Sequence, residues 1–462
     1  MSEWWDLAIA SEKLRTGEVS SVELTTQCLH RIERLNPTLN AFITVTAEEA
    51  LAQAQRADAR LRAGRRAGPL DGIPVALKDL IDTAGTLTTA ASAVYEDRVP
   101  LADAAVVSRL KAAGAVLLGK LNLHEFAYGG TCVPSHSGPV RNPWNPQRIA
   151  GGSSGGSGAA VAAGLCYAAL GTDTAASVRH PAAYCGVTGL KGTYGLVSTR
   201  GVVPLSWSLD HVGPLARSAL DAALVLEVLA GEDPADPAVC PPPLEPYATI
   251  AAMPTPRLRL GRVEDPYFTG LDPGIGEAVS TAIDVLLGFS AGVRSAEIPY
   301  NNLLMVIASA EAYAYHESLL RTQAHKYQPM TRERLEHAAR ITAADYIRAR
   351  RALESLRAGT DALFEEVDLL VTPTTALSPI PITEGDRDPP LPANGTPIEF
   401  RNTHMFDVLG LPAISIPCGL TPDGMPVGLQ LAGPRGSEGR LLAVAHAYQQ
   451  RTHWHTLRPP GL

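Results

Sequence analysis

The hydroxyls best placed to do chemistry lie between Gly151 and Arg179, in the stretch GGSSGGSGAAVAAGLCYAALGTDTAASVR. A glycine–serine turn opens it, small residues fill its middle, and a second tight turn ends at Ser177. Residues this small let backbone approach backbone, or backbone approach a ligand, with few side chains in the way. Three local readings fit. A helix N-terminus behind a glycine loop can cradle a phosphate, although the Gly-Lys-Ser/Thr ending that places a lysine on the phosphates is missing. Gly152-Ser153-Ser154-Gly155-Gly156 also fits the loose Gly-x-Ser-x-Gly form of a nucleophile elbow, a weak signal by itself. The plainest alternative is a solvated, flexible loop.

Two further segments narrow the choice. Upstream, GIPVALKDLID (72–82) reads as an apolar strand that delivers a single lysine, Lys78. Downstream of the first turn lies GTDTAASVRHPA (171–182). With Lys78, Ser153 and Ser177 at their observed spacing, these segments resemble the amidase signature family. The resemblance continues in order through Cys185-Gly186-Val187, Gly189-Leu190-Lys191, Ser208-Leu209-Asp210, Gly213-Pro214, Gly410-Leu411-Pro412-Ala413 and the run from Gly424 to Gln430.

What the resemblance implies is a Ser–Ser–Lys arrangement: Ser177 as nucleophile, Ser153 on a cis peptide bond as proton relay, and Lys78 as the ultimate base. A serine hydroxyl is a poor nucleophile at neutral pH, so a base must take its proton. Histidine does this in Ser-His-Asp enzymes, but the twelve histidines here are dispersed and carry no motif. A lysine is a base only when neutral, so burial must lower its reference pKa of about 10.4. The apolar run Ile73–Leu77 is consistent with such burial.

The same resemblance assigns an oxyanion hole to the backbone N–H groups of Thr174, Ala175, Ala176 and Ser177. It makes Ser154 a hydrogen-bonding support and lines the substrate pocket with Gly129, Gly130 and Thr131. Asp173 and Arg179 flank the nucleophile turn and are expected to pair and brace it. Most family members carry Gly-Gly before the nucleophile, where this chain has Ala175-Ala176. Alanine keeps the N–H, adds a methyl and tolerates positive φ poorly. That change bears on the acyl-side substrate and the rate more than on the mechanism.

The function implied is a serine hydrolase, with neither metal nor cofactor, that cleaves linear amides or amide-like bonds through an acyl-enzyme. The Ala-Ala turn leans the reading toward small amides and carbamates, as in a urethanase. The alternative is the A subunit of a tRNA-dependent amidotransferase, which would hydrolyse glutamine and pass ammonia to a protein partner. Against it, the sequence shows no carboxylate-binding arginine pattern of the kind associated with those subunits. A non-catalytic binding protein that keeps the fold is the third reading.

Composition sets the frame around these residues. The chain has 462 residues, 45% hydrophobic and 19% charged, which is ordinary for a globular protein. A net charge of −8 argues against a phosphate-backbone footprint. The six cysteines form no Cys-x-x-Cys pair and read as small buried hydrophobes in a reducing compartment. Charge close to the N-terminus and the lack of a long apolar run predict a cytoplasmic protein with no signal peptide and no membrane contact. The expected partner is a small-molecule amide or carbamate, with no nucleic acid; homodimers are common in the family.

The expected fold is one α/β domain over 1–462, a large twisted mixed β-sheet covered by helices on both faces. Its parts are N-terminal helices (1–66), the signature core (67–231), a variable substrate-funnel region (232–400) and a core-completing segment (401–462). Ser20 with Glu23 forms a capping box for a helix that Pro37 is expected to end, and Thr46 with Glu49 opens another running to about Arg66. Ile73–Lys78, a helix over 104–113 and a strand over 115–119 read as β–α–β. His124-Glu125 is no metalloprotease motif, because residue 128 is tyrosine rather than the second histidine. Tyr313, Tyr315, His316 and Tyr327 on a long helical stretch read as a packed face rather than a ligand site. The stretch from Pro379 to Thr396, rich in proline and charge, reads as a mobile loop near the entrance.

Overall fold

The computed structural model of the chain describes residues 5–386 and 398–461; most of the expected entrance loop lies outside the described residues. Among the described residues, eleven strands form one mixed sheet. Their spatial order is Phe42–Val45, Val116–Leu121, Pro74–Lys78, Ala168–Asp173, His211–Ala216, Thr188–Lys191, Ala413–Leu420, Pro426–Ala432, Leu369–Pro373, Arg259–Val263 and Gly292–Ala296. Helices surround the sheet, so its middle strands are apolar and buried along their whole length, as strands covered on both faces must be.

One part of the sheet positions the chemistry. Strand 74–78 pairs in parallel with 116–121 on one side and 168–173 on the other. All three therefore end at the same edge of the sheet. Lys78 closes the first, Thr172 and Asp173 close the third, and the second leads directly into the 122–132 loop. In α/β sheets, crevices outside the carboxyl ends of parallel strands are where ligands bind. Helix Gly155–Ala162 is buried throughout. A Cβ on Gly156 would come within 2.3 Å of the Asn122 carbonyl oxygen, so glycine is what lets this helix lie against the strand end.

The helix opened by Ser20 has its capping box, but it runs through Pro37 to Leu39. A proline in the last turn forfeits only its own N–H bond, and Asn40 in the left-handed region stops the helix instead. The next helix spans Ala47–Arg62, and Thr46 does not cap it. Its hydroxyl donates instead to the Leu117 carbonyl on the neighbouring strand (3.2 Å), a tertiary contact that outcompetes the local box. Helix Leu303–Gln323 carries a packed face: His316 Nδ1 lies 2.9 Å from the Tyr327 hydroxyl, and the Tyr315 and Tyr95 hydroxyls lie 2.9 Å apart. Cys240 is exposed, against expectation, while the other five cysteines are buried. Among the described residues, no helix is long and apolar enough to cross a membrane.

Candidate active site

Lys78 is fully buried, with its Nζ 2.7 Å from Ser153 Oγ and 2.8 Å from Thr172 Oγ1. The Gly152–Ser153 peptide is cis. The Ser154 amide donates to the Ser177 carbonyl (3.2 Å), which sets the two serine turns side by side. Ser154 Oγ donates to the Thr172 carbonyl and accepts from its amide, both at 3.2 Å, tying the loop to the strand whose threonine touches Lys78. Ser177 opens onto a cavity of about 400 Å³ that is also lined by Gly129, Gly130, Thr131, Thr174 and Ala175. The structure thus gathers every residue singled out from the sequence as catalytic, supporting or pocket-lining.

Burial lowers the pKa of Lys78 from its ordinary value near 10.5 to about 7. The nearby Cys132, Asp210 and Asp173 pull the other way. The Cys132 thiol is itself pushed up to about 11 by burial and so stays protonated near neutrality. The anions facing Lys78 are then the two carboxylates, and they do not offset its desolvation. A lysine poised near pH 7 can hold or release a proton as required.

The turn that carries Ser177 is braced from below. Arg179 Nε and Nη2 each donate to Asp173 at 3.0 Å, and the amides of Val178 and Arg179 donate to the same carboxylate. Arg179 also reaches Asp407 (2.5 Å), Gln430 Oε1 (2.9 Å) and the Thr403 carbonyl (3.0 Å). Burial would raise the pKa of Asp173, but Arg179 outweighs it and holds the carboxyl well below the usual range. Arg179→Met strands two buried carboxylates and is expected to destabilise the fold by about 3–5 kcal/mol, read as a lower urea midpoint.

Neither Ala175 nor Ala176 has a positive φ, so their methyls add no backbone strain. Ala176 is fully buried, whereas Ala175 faces the cavity. Strain sits elsewhere: Ala90, Ala91, Phe126, Ala127 and Cys132 all have φ between 50° and 59°. These segments are stitched together, with the Phe126 amide on the Ala90 carbonyl (3.0 Å) and the His136 amide on the Ala91 carbonyl (2.8 Å). Such conformations persist where the surroundings over-determine them, here around the pocket loop. Within that loop, a Cβ on Gly129 would meet the His124 ring at 2.1 Å and one on Gly130 the Phe400 ring at 2.8 Å.

Sequence reasoning missed several residues here. Thr172 contacts Lys78 directly. Asp210 accepts from Thr174 Oγ1 (2.5 Å) and from the amides of Leu205 and Ser206, holding the start of the expected oxyanion turn. Burial pushes Asp210 up to about 6. Its position inside the Ser208-Leu209-Asp210 motif was an available signal. Tyr128 and Arg334 also line the cavity, the guanidinium lying over the Tyr128 ring and donating to its carbonyl.

The Amidase family profile matches residues 23–442. The chain belongs to the amidase family. It is 42% identical over 480 residues to the A subunit of the glutamyl-tRNA(Gln) amidotransferase of Roseiflexus sp. (strain RS-1), covering 98% of this chain and 97% of that one. Among solved structures it superposes with a TM-score of 0.90, at 35% identity, on a protein from a vestigial complex reported to reveal the evolutionary origins of an s-triazine catabolic enzyme, covering 97% and 98% of the two chains. The peptide amidase of Stenotrophomonas maltophilia superposes with a TM-score of 0.86 at 34% identity, covering 98% of each chain. The sheet and its flanking helices are therefore those of the amidase signature fold.

Proposed function

We propose that this amidase hydrolyses a carboxamide through an acyl-enzyme on Ser177, with glutamine as the first substrate and ammonia as the product passed on. The observation that carries the chemistry is the buried Lys78 Nζ 2.7 Å from Ser153 Oγ, beside the turn that exposes Ser177 to the cavity. Neutral Lys78 takes the Ser153 proton while Ser153 takes that of Ser177, whose oxygen attacks the amide carbon. Thr172 orients the amine during this step. The backbone N–H groups from Thr174 to Ser177 receive the developing oxyanion, a contribution worth several kcal/mol in such sites. The relay returns its proton to the leaving nitrogen, and water then releases the acyl group as a carboxylate.

Glutamine is favoured by the 42% identity, over nearly the whole chain, to the A subunit of an amidotransferase. The expectation of a purely small-molecule partner gives way with it, since one subunit of such an enzyme implies a protein partner. Arg334, at the cavity wall, supplies the cation that the sequence pattern did not reveal. Arg334→Met is expected to raise KM for glutamine by about 10–100-fold, the worth of a charged hydrogen bond, and to leave a neutral anilide little changed. Equal loss on both substrates would argue that Arg334 only supports Tyr128.

The apolar wall formed by Leu205, Leu304, Met305, Ala308, Met330 and Phe400 favours a second reading, a free-standing hydrolase of small amides or carbamates. Purified protein assayed on glutamine, a p-nitroanilide and an aryl carbamate separates the two. Glutamine turnover with ammonia release supports the first; anilide or carbamate turnover alone supports the second.

A further inference from the structure

From the contacts around Ser153 we infer that Cys132 is a positioning residue for the proton relay, and the inference rests on the Ser–Ser–Lys reading of the site. The Cys132 thiol donates to the Ser153 carbonyl at 3.1 Å and accepts from the Gly155 amide at 3.3 Å. One side chain thereby grips the loop on both sides of Ser154. The Ser153 carbonyl also accepts from the His124 amide (3.2 Å), and the Gly152 amide donates to His180 Nδ1 (3.4 Å). Among these contacts, Cys132 alone is a side chain that bonds the loop twice.

The fit is mutual. A Cβ on Gly152 would lie 2.9 Å from the sulfur and one on Gly155 2.8 Å, so both glycines clear the space that the thiol fills. Cys132 holds φ at 55°, uncommon for a residue with a side chain, and its own amide donates to His124 Nδ1 (3.3 Å). It is fully buried, and the serine whose carbonyl it holds places its hydroxyl 2.7 Å from the Lys78 amine, so a shift of the sulfur moves Ser153 Oγ relative to that amine. A protonated thiol is required, because only S–H can donate to the carbonyl while the sulfur accepts from the amide.

A mere space-filling cysteine would tolerate alanine and gain nothing from serine. The positioning role predicts the reverse. The rate constant for labelling of Ser177 by a fluorophosphonate, which needs no knowledge of the substrate, is expected to fall by about tenfold or more in Cys132→Ala, since small misplacements of a catalytic group are costly. Cys132→Ser, which keeps a donor and an acceptor, should recover most of that loss. With a turned-over substrate, kcat should fall in Cys132→Ala while KM holds. Should Cys132→Ala fail to fold, Gly155→Ala, whose methyl displaces the sulfur, is expected to slow labelling similarly. Unchanged labelling in both Cys132→Ala and Gly155→Ala would overturn the inference. Labelling of wild type that persists in Ser177→Ala would instead overturn the Ser–Ser–Lys reading itself.

Discussion

Ser177→Ala is expected to lower kcat by about 10⁴-fold or more, with the fold intact and substrate still bound. In the proposed reaction the hydroxyl is the group that forms the acyl bond, and the other described hydroxyls of the cavity wall are engaged elsewhere. Thr131 Oγ1 is committed to the Gly385 carbonyl at 2.6 Å, Thr174 Oγ1 to Asp210 at 2.5 Å, and Ser309 Oγ accepts from the Tyr128 hydroxyl at 2.9 Å. The substitution leaves the backbone contacts of the turn in place, since the Ser177 carbonyl still accepts from Ser154 and Asp173 still holds the two amides that follow. The proposed oxyanion donors are backbone groups and survive as well. Residual activity from binding and oxyanion stabilisation alone is what sets the floor. Steady-state kinetics together with intact-mass detection of the acyl-enzyme provide the check. A variant that keeps even a hundredth of the wild-type rate on a purified substrate would remove Ser177 from the nucleophile role.

The parts of the site that could be read from the sequence are those whose chemistry is written locally. Lys78 at the end of an apolar strand and the two serines in small-residue turns sit in the motifs that carry the family resemblance, and Asp173 and Arg179 stand six residues apart across the Ser177 turn. Partners across the chain do not. Arg179 meets Asp407 and Gln430 at separations of 228 and 251 residues, and nothing near either position announces the contact. Cys132 reads as one more small hydrophobe, because its donor and acceptor roles exist only once the 152–155 loop closes over it. The φ values of Ala175 and Ala176 were equally out of reach, since both glycine-like and ordinary conformations were compatible with the sequence. Local rules also failed where a tertiary bond offered more, as when Thr46 left its capping box for Leu117. The fold class was legible throughout; the sheet order, built from strands far apart in sequence, was not.

Lys78→Met separates what the lysine costs from what it does. A folded pKa of about 7 against an ordinary value near 10.5 means that, between those pH values, the unfolded chain binds a proton that the folded chain does not. Wild-type stability then rises with pH across that window, by about 1.4 kcal/mol per unit, and below pH 7 the folded state carries the full cost of a buried ammonium. Methionine matches the length of the side chain without the charge. Its own cost is the loss of the bonds to Ser153 and Thr172, about 1 kcal/mol each. At pH 6 the first effect wins, and Lys78→Met is expected to be more stable than wild type by about 3 kcal/mol. Toward pH 10 the advantage should shrink and then reverse, because both states of the wild type approach neutrality and only the lost hydrogen bonds remain. Catalysis moves the opposite way: wild-type kcat/KM should climb tenfold per pH unit below about 7 and level off above it, and the variant should show no such limb and almost no activity. Thermal melts of both proteins from pH 5.5 to 10 decide the matter. A stability difference that ignores pH would mean that Lys78 is not carried neutral inside the fold, and the relay from Ser177 through Ser153 would then have no base to end on.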